Sequence, residues 1–151
     1  MLPEQIFSIA NTAALVTWVV LILFQRQRWA THRIVPAAVA LFAAAYVAII
    51  GPRWAGSDGG FSSLSAVAQL FSNPWLLLAG WLHYLAFDLL VGRWAALDAA
   101  RRGISPWLVA PVLALTFMFG PAGWGAYVLL RRAYSPHRAQ GIKDADDTPL
   151  Y

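Results

Sequence analysis

The stretch PWLLLAGWLHYLAFDLLVG, from Pro74 to Gly92, runs for nineteen residues in which only His83 and Asp88 can carry charge near neutral pH. At about 1.5 Å of rise per residue, a helix of that length matches the hydrocarbon core of a bilayer, about 30 Å. A helix is the default because an open strand would leave its backbone groups unpaired in lipid. Pro74 suits a first helical turn, where its missing N–H costs nothing.

Three more apolar blocks repeat the theme. Ile6 to Phe24 contains no charged residue, Ile34 to Ile50 closes at Gly51-Pro52, and Trp107 to Leu130 is interrupted by Gly120-Pro121-Ala122-Gly123. Pro121 lacks an N–H, so the Phe117 carbonyl loses its helical partner and the segment should kink or break there. Between the second and third blocks, Gly56 to Gly60 has loop chemistry. Leu64, Val67, Ala68, Leu70 and Phe71 then recur at helical spacing, too few to span, and read as an interfacial amphipathic helix. The expected architecture is all-α: a single domain over 1–134 with four transmembrane helices, the fourth kinked at Gly120-Pro121, plus a short interfacial helix. The polar residues 135–151 are expected to form a disordered tail.

Composition agrees. Of 151 residues, 60% are hydrophobic and 12% charged, against roughly 25% charged in soluble domains. The net charge of +4 resides between the apolar blocks, which points to anionic headgroups rather than nucleic acid. With no cysteine, thiolate metal sites and thiol nucleophiles are excluded. Met1 to Gln5 carries Glu4 and no basic residue, and no small-residue cleavage site precedes Arg26, so the first block reads as a retained span. In a four-span layout six basic residues face five, nearly a tie, with the N-terminus favoured outside. If the broken fourth segment instead dips in and returns, the awkward Arg131-Arg132 pair is explained.

His83 and Asp88 are the candidate chemistry, because an ionisable residue within a span costs about 2.5–3.5 kcal/mol even on the lenient insertion scale. Five residues turn a helix to leave them about 140° apart, and a wide face holding Gly80, Tyr84 and Phe87 would point inward. Two readings stay open: an interhelical polar clamp, or a proton-handling pair suited to general acid/base work. Tyr84 and Asp88 are one turn apart and can hydrogen-bond. One His and one Asp are too few for a metal site, and no cofactor motif is present. Asn11 could serve as helix glue or reach a ligand. Trp81, Phe87, Phe117, Gly120 and Pro121 could line an apolar pocket, with Arg93 at its polar mouth or simply at the headgroups.

Several of these residues also carry a resemblance. Ile6-Phe7 with Ala10-Asn11, Ala14-Leu15 and Trp18, the block Gly80 to Trp94, and Thr116 to Gly123 together resemble the abscisic-acid-deficient-four-like family, also called neoxanthin-synthase-like. The resemblance implies a small four-span membrane protein. It also implies an isomerisation in which a base removes a proton beside a polyene while an acid protonates an epoxide oxygen. His83 and Asp88 fit those roles by type, with a carotenoid or other isoprenoid as ligand. The competing expectations are a non-catalytic carotenoid- or lipid-binding accessory protein and a proton pathway. The Ala/Arg-rich, lysine-poor composition suggests a bacterial inner membrane rather than a plastid.

Overall fold

The computed structural model describes residues 2–134; the tail expected to be disordered lies outside them. Within them the chain is helical, without strands. Helix α1 spans Pro3–Leu23, α2 Val35–Trp54, α3 Leu64–Phe71, α4 Pro74–Arg102, α5 Pro106–Phe119 and α6 Pro121–Ala133. A π-helical stretch, Ala30–Ile34, leads directly into α2. Three helices are long and apolar enough to cross a membrane: Pro3–Leu23, Ala30–Trp54 and Pro74–Arg102. These long apolar helices fit a membrane protein.

Local sequence explains most boundaries. Asn73 caps α4 by accepting from the Trp75 N–H, 2.9 Å. Gly103, at φ +71, ends the helix in the left-handed conformation that glycine tolerates best. Ser63 caps α3 through the Ala66 N–H, 3.1 Å. Contrary to expectation, α2 does not close at Gly51-Pro52 but continues to Trp54. Pro52 falls in the last turn, where only one backbone bond is lost and Arg53 reaches back to the Ile49 carbonyl.

The core is centred on α4, which packs against α2 on one side and against α1, α5 and α6 on the other. Trp18, buried on α1, fits against Gly92; a Cβ there would sit 2.5 Å from the indole. Gly80 admits the Phe71 ring from α3.

The fourth segment departs most from the single kinked crossing that the sequence suggested. Phe119 ends α5, Gly120 adopts φ +35, and α6 turns back along α5 and α4. Gly120 lies against Asp88, whereas Tyr127 and Arg131 lie against Asp98, ten residues further along α4. The two limbs have 14 and 13 residues, each only about 20 Å long, short of the roughly 30 Å core. Gly123 permits the reversal, because a side chain there would collide with the backbone of Thr116. The segment is a helical hairpin whose tip meets the middle of α4.

Candidate functional site

Asp88 is the fifteenth of the 29 residues of α4 and is 9% exposed. Its burial comes from the hairpin tip: a Cβ on Gly120 would stand 2.7 Å from Asp88 Oδ1. Asp88 Oδ2 has no hydrogen-bond partner among the described residues. Leaving a buried polar atom unpaired costs about 1–3 kcal/mol. One turn earlier, the Tyr84 hydroxyl interacts with the same carboxylate.

Tyr84 connects this carboxyl to a groove between α1, α4 and α5. The groove encloses about 350 Å³ and is lined by Asn11, Leu15, Trp81, Tyr84, Phe117 and Met118, among others. Its wall is aromatic and tied together by one polar bond: Trp81 Nε1 donates to Asn11 Oδ1 at 2.7 Å. Trp81 also contacts Phe7 and Tyr84, with ring centres 5.5 Å and 5.3 Å away, and Phe117 packs against buried Trp18 at 5.5 Å. Asn11, Trp81, Tyr84 and Phe117, picked out separately along the sequence, thus share one groove. Gly120 and Asp88 lie beside it, and Pro121 opens α6 just beyond.

His83 does not join them. Its ring meets Phe87 at 4.5 Å and Tyr46 at 5.8 Å, tilted against both, and borders a second cavity of about 300 Å³ beneath α3. The expected shared inward face fails for a simple reason. With neighbours on both sides of α4, residues about 140° apart address different helices. Phe87, 55% exposed, follows His83 rather than Asp88.

Arg93 is not at a pocket mouth either. Its Nε donates to the Thr31 carbonyl in the π-helical turn. The reason lies in the backbone: the Val35 N–H bonds Ala30 O, and the next candidate donor to Thr31 O would be Pro36, which has none. Arg93 satisfies a carbonyl that the helix has orphaned.

A polar cluster that the sequence only half revealed secures the hairpin. Asp98 pairs with Arg101 and Arg102, three and four residues on along α4, at 3.7 Å and 2.8 Å. It also accepts from the Tyr127 hydroxyl at 2.8 Å and pairs with Arg131 at 3.4 Å. Tyr127 is fully buried and meets Trp94 edge-on at 5.3 Å. Nothing local in the sequence signals a contact between residues 98 and 127.

The profile of the family described as ABA DEFICIENT 4-like matches residues 5–127, which include every helix that forms the groove and most of the hairpin. The chain belongs to the ABA DEFICIENT 4-like family. No curated protein and no solved structure matches it significantly. The matched region of this family member contains both the α1–α4–α5 groove and the Asp88–Gly120 contact, so the site lies in the part of the chain that carries the family's pattern.

Proposed function

We propose that this family member is a multi-pass membrane protein that isomerises a carotenoid or related isoprenoid within the bilayer, using Asp88 and Tyr84 for proton transfer. The observation that carries this reading is the buried Asp88 carboxyl with an unpaired oxygen, held against Gly120 beside an aromatic groove. Such an arrangement stands at a cost in stability, and a proton-transfer role would account for it.

For an epoxide-bearing polyene the chemistry balances without a cofactor. Asp88 removes a proton from carbon beside the polyene, the electron pair opens the C–O bond, and the Tyr84 hydroxyl protonates the leaving oxygen. Proton return from Asp88 to Tyr84, its neighbour one turn away, resets the pair. Asn11, Trp81 and Phe117 would hold the apolar skeleton, with Gly120 and Pro121 shaping the tip. His83, which faces the cavity beneath α3, has no part in this scheme. The cellular setting that accompanies the proposal is a bacterial inner membrane.

Full-length protein in liposomes, supplied with an epoxy-carotenoid, provides the test. Asp88→Asn should abolish conversion, Tyr84→Phe should lower it by about 10²-fold or more, and His83→Ala should leave it largely intact. Wild-type turnover in Asp88→Asn would end the assignment. A second reading, a non-catalytic carotenoid or lipid carrier, is favoured by the aromatic wall itself; it requires pigment to co-purify unchanged and no turnover by the protein alone.

A further inference from the structure

The hairpin reversal redistributes charge as well as shape. Arg131 is brought to Asp98, Arg26 donates to the Ile104 carbonyl at 2.9 Å, and Arg93 bonds the Thr31 carbonyl. These contacts place the α1–α2 connection, the end of α4 and the end of α6 at one end of the molecule. Among the described residues, eight arginines gather there with a single carboxylate, Asp98. The opposite end, among the described residues, has Arg53 over the Trp75 ring, together with Glu4 and Asp58.

Not all of these arginines are engaged in the fold. The exposed Arg28 and Arg33 side chains make no hydrogen bond or ion pair among the described residues, and with Trp29 and His32 they bound a cavity of about 410 Å³. Trp29 packs on Phe24 with ring centres 5.1 Å apart. Exposed Trp107 starts α5 at the same end. Indole rings at a helix end favour the depth where headgroup meets acyl chain. Guanidinium groups just beyond that depth are suited to bind phosphate through paired N–H donors.

We propose that this end is a binding surface for anionic phospholipid headgroups, centred on the exposed Arg28–Trp29–His32–Arg33 hollow. The arginine-rich end then faces the cytoplasmic leaflet, with the N-terminus on the other side. The near-tie in basic residues disappears because Arg131 and Arg132 return to the side of Arg101 and Arg102. The proposal rests on the membrane reading and not on the isomerase chemistry.

The test uses the full chain in mild detergent, titrated by native mass spectrometry with phosphatidylglycerol and with phosphatidylcholine of the same acyl length. Phosphatidylglycerol should bind about tenfold more tightly. R28Q/R33Q should remove most of that preference, and R53Q should leave it unchanged. Equal binding of the two lipids, or equal loss in R53Q, overturns the proposal. Displacement by inorganic phosphate would reassign the pocket to a soluble phosphate and overturn it as well. Because the chain has no cysteine, Gln27→Cys and Ser57→Cys can report orientation separately. On intact bacterial host cells an impermeant maleimide should label Ser57→Cys, and Gln27→Cys only after permeabilisation; the reverse pattern overturns the orientation. Release of the protein by alkaline carbonate would sink the membrane reading and this one together. Retention without lipid preference sinks this one alone.

Discussion

Two prolines, Pro36 at the start of α2 and Pro121 at the start of α6, pose the same local problem and are answered in opposite ways. Each removes a backbone donor and leaves a carbonyl on the preceding turn without its helical partner. Before Pro36 the chain widens into a π turn, Arg93 takes the orphaned Thr31 carbonyl, and the apolar helix runs on as one 25-residue unit. At Pro121 the preceding residue is Gly120, which takes φ +35, and the chain reverses. Proline alone does not decide between continuation and reversal. The deciding factors are the conformational freedom of the residue before it and the side chain available to satisfy the freed group.

The largest effect should come from removing that freedom. Gly120→Ala adds a Cβ at a positive φ and 2.7 Å from Asp88 Oδ1, and each of the two penalties is about 1–3 kcal/mol. Thermal unfolding in detergent should show a loss of about 2–6 kcal/mol. Asp88→Ala in the same chain should recover the collision but not the backbone strain. An unchanged unfolding temperature in Gly120→Ala would mean that the tip is not packed against α4.

Next in size is the latch on the returning limb. Asp98→Ala strands the buried Tyr127 hydroxyl and removes one ionic contact from each of three arginines, Arg101, Arg102 and Arg131. The expected loss is about 2–3 kcal/mol, below the range for fully buried pairs because solvent screens the arginines. Tyr127→Phe should lose about 1 kcal/mol. Because Tyr127 and Asp98 share a bond, the double variant should lose less than the two single losses added together.

Pro121→Ala separates proline from glycine as the cause of reversal. If Gly120 and the Asp98 latch govern, the hairpin persists and stability changes by less than about 1 kcal/mol. Spin labels at Trp107→Cys and Tyr134→Cys would decide. A straight helix over that interval would hold them about 40 Å apart, whereas packed antiparallel limbs keep them within about 20 Å. A long distance in Pro121→Ala would make proline the agent.

This comparison also explains what the sequence could and could not disclose. Pro3–Leu23 and Pro74–Arg102 were legible because a lipid-length apolar run is a property of the segment itself. So were the Pro74 start of α4 and the short helix α3, which depend on residues close in sequence. The hairpin was legible only as an alternative, since Gly-Pro permits a kink or a reversal, and the contact that selects reversal joins Asp98 to Tyr127. The site divides the same way. Asn11, Trp81, Tyr84 and Phe117 were recognised by residue type and do converge, but the pairing of His83 with Asp88 failed. Their angular separation could be read from spacing; which helices fill the two sides of α4 could not.

A coupling rather than a single loss gives the most specific check on the Pro36 side. In the π register Val35 N–H is taken by Ala30 O, and Pro36 offers nothing to Thr31 O, so Arg93 stands in as the donor. Arg93→Ala should therefore cost about 1–2 kcal/mol by leaving that carbonyl unpaired. Pro36→Ala restores an N–H and allows the turn to relax to α-helical spacing, making the arginine dispensable. In the Pro36→Ala background, Arg93→Ala should cost about 1 kcal/mol less than in the native chain, a coupling well above the additivity error of roughly 0.3–0.5 kcal/mol. The two residues lie on different helices, so simple loss of packing around Arg93 would give additive penalties. Additivity would mean that Arg93 contributes through its aliphatic stem or the headgroup region, and that the π turn is maintained by something other than the missing proline donor.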